Sequence, residues 1–132
     1  MNEGDKTQSP PLREPALRAI AMPSDSNARG DIFGGWLLSQ MDLAGGAAAM
    51  RRAKGRVATV AIASMSFTAP VFIGDEVSCY TEVVKIGHSS LTVRIESWAR
   101  RFASEETVKV TEGLFTYVAI DAERKKRPVP QV

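Results

Sequence analysis

One carboxylate and two glycines stand out in the stretch PSDSNARGDIFGGWLLSQMDLAGGAAAM, residues 23–50. Asp42 is the only acidic residue between Asp31 and Asp75, and its neighbours are Met41, Leu43, Ala44, Gly45 and Gly46. Burying an ionisable acid is unfavourable unless it is paired or protonated. Asp42 is therefore either tied to a hidden partner or kept for chemistry, as a general base or a nucleophile. Gly34 and Gly35 stand at the start of the same apolar run. A helix beginning there presents unpaired backbone N–H groups and the positive end of its dipole, and glycine leaves that end open to a carbonyl oxygen. That is the geometry of an oxyanion site. A glycine pair also serves tight turns and close packing, and the Lys and Ser/Thr of a phosphate loop are missing.

Asp42 lies seven residues beyond Gly35, two helical turns or about 10 Å along the axis. One reacting carbon does not touch both groups of a single chain across that gap. A two-fold dimer would bring Asp42 of one chain beside Gly35 of the other, giving a composite site. Asn27, in the loop SDSNARG, offers an amide to position a carbonyl or water, although Asn in such a loop also makes turns with its own backbone. Asp31 is read as a helix cap. His88 is the only histidine and follows a glycine in a turn. The sequence holds no Ser-His-Asp arrangement, metal-spaced cluster or dinucleotide glycine motif. Ser64 and Ser66 are read as strand residues.

The elements that must position these groups follow from periodicity. Residues 1–12 read as a flexible, Pro-ending leader. Residues 13–121 read as one domain, and residues 122–132 as a basic, Pro-containing, solvated tail. Pro15 to Met22 is read as a short first strand or a helical turn. A helix runs from about residues 33–35 to Arg52, with Arg51, Arg52 and Lys54 at its negative end and Gly55 as its stop. Arg56 to Val71 reads as a largely buried strand, followed by strands over Glu76–Ile86, Ser90–Phe102 and Thr107–Ile120. In the last of these Val108, Val110, Leu114, Thr116 and Val118 are expected to share the buried face. Consecutive strands with short turns predict an antiparallel sheet, curved around a helix buried on most sides, in an α+β domain. The open edge of such a sheet predicts a dimer.

Composition agrees with one ordinary globular domain: 132 residues, 44% hydrophobic and 24% charged, with a formal charge of +2. That charge is too small to argue for nucleic acid, and the run Arg124–Arg127 is read as solvated. The single cysteine, Cys79, forms no internal disulfide. The apolar run carries Ser39, Gln40 and Asp42, so it does not read as a membrane span. A polar, Pro-rich start shows no signal peptide, and the expected location is the cytoplasm.

NARGDIFGGWLLSQMDLAG, GRVATVAIASMSF and VVKIGHSSLTVRIESWARR closely resemble the YciA-like acyl-CoA thioesterases of the hotdog-fold superfamily. The resemblance runs from about Leu17 to Ile120, in order and with the expected spacing. It implies a hotdog fold, dimers assembling as trimers of dimers, and hydrolysis of acyl-CoA to CoA and a carboxylic acid. It places the catalytic acid on Asp42, the oxyanion-binding backbone on Gly34–Gly35, and the Asn of the loop before the helix on Asn27. Members of the family often carry Asn where this chain has Arg29. The turn used near CoA falls on Lys85, Gly87, His88, Ser89 and Ser90, with Arg100 and Arg101 as candidates for phosphate contact. No metal and no cofactor is implied, coenzyme A being part of substrate and product.

The competing readings are a non-catalytic acyl-CoA-binding hotdog module, whose mark would be loss of the acid, and a hotdog dehydratase, for which His88 is badly placed. Acyl-chain range depends on where Trp36, Met41, Met65 and Phe67 fall.

Overall fold

Gly34–Ala53 forms the single long helix, α1, in the computed structural model, which describes residues 9–131. Most of the leader lies outside the described residues. Alanines and straight-chain residues favour the helical state through the middle of α1. Lys54 ends it in the left-handed conformation, φ 57°, with Arg51 and Arg52 in the last turn. Leu37, Met41, Ala44, Gly45, Ala49 and Ala53 make one buried stripe, the spacing of a helix lying on a single surface. Leu43 and Met50, off that stripe, are 62% and 49% exposed. Burial on most sides is therefore not met within one chain.

The surface beneath α1 is a five-stranded sheet: β1 Leu17–Ile20, β2 Val57–Phe67, β3 Glu76–Ile86, β4 Ser90–Arg100 and β5 Thr107–Ala119. Its spatial order is β1-β3-β4-β5-β2, and every neighbouring pair is antiparallel. The run from β3 to β5 is the expected meander. The step from β2 to β3 is not, because β2 pairs with β5 and the chain then crosses the sheet. β2 is thus an edge strand rather than a largely buried one, with Val60 and Ile62 56% and 44% exposed.

The inward face of β5 also departs from expectation. Phe115 and Tyr117 join Val110 in the core, while Leu114 and Thr116 do not. The pairing passes from Ser97↔Thr111 to Trp98↔Lys109, so Val110 is an extra residue in a bulge. A bulge reverses the alternation beyond it, which exchanges the two faces.

The tail is solvated only in part: residues 122–126 are exposed, but Arg127 and Val129 pack back on the domain. Val129 is 1% exposed and belongs to a small core with Ala53, Leu91 and Ala119. Arg127 donates through Nε to the Ile120 carbonyl at 3.0 Å and through a terminal nitrogen to the Ala53 carbonyl at 3.0 Å. A helix end leaves its last carbonyls without intrahelical partners, and this guanidinium supplies donors. Its group occupies the space a side chain on Gly55 would need, 2.5 Å from a Cβ there. The folded unit therefore continues past residue 121. Among the described residues no helix is long and apolar enough to cross a membrane.

Candidate active site

The N-terminus of α1 is uncapped. Phe33 holds the N-cap position in extended conformation and no side chain bonds the first turn. Asp31, expected as the cap, pairs in an isolated bridge with Phe72, because the helix starts too far along the chain for its carboxylate to serve. The N–H groups of Gly34 and Gly35 reach no acceptor among the described residues. A Cβ on Gly35 would meet nothing within 4 Å, and one on Gly34 only the Phe67 ring, at 4.0 Å. Packing within the chain does not demand glycine at either place. The space beside them is a cavity of about 320 Å³ whose walls include Phe33, Gly34, Leu37, Phe67, Pro70 and Val110.

Asn27 closes the preceding loop. Its Oδ1 accepts from the backbone N–H of Arg29 at 2.9 Å and of Asp31 at 3.1 Å, the self-bonded turn that Asn favours. Its Nδ2 makes no hydrogen bond among the described residues, so the amide keeps its two donors.

Asp42 has partners that the sequence did not reveal. Its Oδ1 accepts from Thr59 Oγ1 at 2.8 Å and from the Tyr117 hydroxyl at 3.0 Å. Thr59 of β2 and Tyr117 of β5 stand opposite each other in register, so their side chains share the face beneath the helix. Tyr117 is 1% exposed. Burial first, and the nearby Asp42 carboxylate second, push its phenol pKa well above the ordinary value. It therefore remains a protonated donor. The signal for this pair lay in the period-two pattern of β5, but only in the phase set by the Val110 bulge.

The other candidates are dispersed. Lys85, Gly87, His88, Ser89 and Ser90 run from the end of β3 through the β3–β4 turn to the first residue of β4, and the tail holds that turn through the Val129 N–H to the His88 carbonyl at 2.8 Å. That turn lies near Ala53 and Val129, toward the C-terminal end of α1, away from Gly34 and Gly35. Arg100 is half-exposed and paired with Glu76 at 3.0 Å. Arg101 is not a free phosphate contact. It makes an ion pair at 2.5 Å with Asp75, itself 2% exposed, donates to the Pro70 carbonyl at 2.9 Å, and lies over the Phe72 ring. The sequence offered no sign that Asp75 was buried, and a buried carboxylate takes the nearest cation. No cluster of His, Cys, Asp and Glu suited to a metal is found among the described residues.

Residues 29–101 match the family model described as the thioesterase superfamily. The acyl-CoA thioester hydrolase YciA of Salmonella typhimurium is 50% identical over 123 residues, 91% of this chain and 92% of that protein. The chain belongs to the thioesterase superfamily. Two solved structures show the same hotdog fold. One is HI0827, a hexameric broad-specificity acyl-coenzyme A thioesterase, at 45% identity and TM-score 0.89 over 96% of this chain and 88% of that one. The other is the hexameric thioesterase y2039 from Yersinia pestis, at 49% identity and TM-score 0.87 over 92% of this chain and 99% of that one. The expected α+β hotdog architecture, a curved antiparallel sheet against one long helix, is the one observed. Within this superfamily, the uncapped helix end and the anchored Asp42 are the features to explain.

Proposed function

We propose that the chain is an acyl-CoA thioester hydrolase. The observation that carries this reading is the uncapped, unobstructed N-terminus of α1 beside an apolar cavity, on the same helix that carries Asp42. Names of close relatives support the acyl-CoA substrate. The thioester carbonyl oxygen is received by the N–H groups at Gly34 and Gly35, which stabilise the charge developing on it. Asp42 either takes a proton from the attacking water and passes it to the departing sulfur, or attacks the carbonyl carbon to give a mixed anhydride that water then hydrolyses, restoring Asp42 and supplying the thiol's proton. The C–S bond breaks, CoA leaves as its thiol, and the acyl group leaves as the carboxylic acid. The Nδ2 of Asn27 orients the carbonyl or the water. The reaction needs neither a metal nor a cofactor.

The active unit in this reading is a dimer in which Asp42 of one chain faces Gly35 of the other. The two-turn separation within a chain supports it, as do the exposed apolar residues of α1 and of the β2 edge. Relatives described as hexameric support three such dimers per assembly. CoA then binds across chains, its phosphates reached from Lys85, His88, Ser89 and Arg100. The working location is the cytoplasm. Thiol release from a series of acyl-CoAs, short to long, tests the activity with wild type and Asp42→Asn side by side. Release by the wild type alone is the expected result. No release from either, with acyl-CoA still bound, would leave a binding module.

A further inference from the structure

The two oxygens of Asp42 are unlike. Oδ1 accepts hydrogen bonds from both Thr59 and Tyr117, whereas Oδ2 has no hydrogen bond among the described residues. The hydroxyl of Tyr117 lies 3.0 Å from Oδ1 and 3.2 Å from the Asp42 backbone carbonyl, so one phenol touches the side chain and the main chain of the same residue. That contact depends on a missing side chain one turn away. A Cβ on Gly45 would overlap the Tyr117 hydroxyl and Ile95 Cδ1. Glycine inside a helix is unfavourable relative to alanine by about 1 kcal/mol, yet here it opens the groove through which Tyr117 reaches the carboxylate. Phe115, two residues earlier on the same face of β5, fills the core without any hydroxyl. The polar atom at position 117 is thus not required merely to fill space.

We infer that Tyr117 is a positioning residue for the reaction: seated in the groove left by Gly45, it holds Asp42 by Oδ1 and leaves Oδ2 as the reacting oxygen. This rests on Asp42 being the reacting carboxylate. A carboxylate free to rotate about its side chain loses part of the reactive geometry, and small misplacements of a reacting group lower turnover steeply. Tyr117 is the titratable group that bonds Asp42 from the strands. Thr59, the other partner, does not ionise. No ion pair reaches Asp42 among the described residues, and the Cys79 thiol of β3 is turned to Ser97.

The test is Tyr117→Phe in the full chain, with kcat, KM and melting temperature measured for one acyl-CoA beside wild type and Asp42→Asn. The expected result is a fall in kcat of roughly ten- to a hundredfold with little change in KM. A lower melting temperature with kcat and KM both altered would mark a purely structural tyrosine, and this outcome overturns the inference. An unchanged kcat overturns it too. In both cases the contrast of wild type with Asp42→Asn still decides, separately, whether Asp42 reacts. Gly45→Ala is the second variant, retaining the hydroxyl but displacing it. It is expected to lower kcat with little change in KM, and a kcat that stays at its wild-type value counts against the inference.

Discussion

Two glycine sites on α1 look alike in sequence and differ in space. At Gly45 the neighbouring atoms are already in place: Tyr117 and Ile95 occupy the volume a side chain would take. At Gly34 and Gly35 that volume is empty within the chain, apart from the edge of the Phe67 ring. The first glycine is required by the fold of one chain. The second pair is left open for something the chain does not itself supply. One helix thus has a sealed middle that anchors an acid and an open end that can receive a charge.

The largest effect expected is on activity, from Asp42→Asn. It keeps shape and removes the charge, so turnover should fall by roughly a hundredfold or more, with the melting temperature close to wild type, as steady-state kinetics and calorimetry would show. Gly35→Val comes next and sharpens the contrast. Nothing in the chain opposes the added side chain, so thermal stability should hold while turnover drops by on the order of tenfold to a hundredfold. Loss of folding in that variant would show the open end to be packed after all. Gly45→Ala should behave the other way, losing about 1–3 kcal/mol of stability by overpacking, measured by denaturant unfolding. The smallest effect belongs to Asn27→Ala. It should lower turnover less than Asp42→Asn and loosen a loop whose backbone bonds Oδ1.

A third region qualifies this contrast. Asp75 and Arg101 pin the loop that walls the cavity near Gly34, and both are largely buried. Removing one partner of a buried pair strands the other charge, so Asp75→Asn should destabilise the fold by about 3–5 kcal/mol. Stability unchanged in that variant would show the pair to be ornamental.

Much of the fold was legible because α1 and the meander β3–β4–β5 are written in local periodicity. The helix bounds came out within about a residue of those observed. What local pattern does not encode was missed. The crossing from edge strand β2 to β3 depends on long-range pairing, and the inward face of β5 depends on a single bulged residue, Val110. The tail looked solvated because its basic residues are, except Arg127, whose carbonyl partners lie far away in sequence. At the site, Asp42 and Gly34–Gly35 were visible as residue types in an unusual setting. Thr59 and Tyr117 were not, since an ordinary strand Thr and Tyr become partners of Asp42 only through register. The pairing of Arg101 was hidden for the same reason, its partner Asp75 being invisible as a buried acid.

The most direct test of the composite site is complementation. Asp42→Asn chains and Gly35→Val chains, each impaired alone, would be co-expressed with different tags and purified as mixed dimers. If Asp42 of one chain serves Gly35 of the other, each mixed dimer holds one intact site, and thiol release from acyl-CoA returns. If release stays at the level of the parent variants in verified mixed dimers, the two groups do not act across the interface, and the account of the site is wrong.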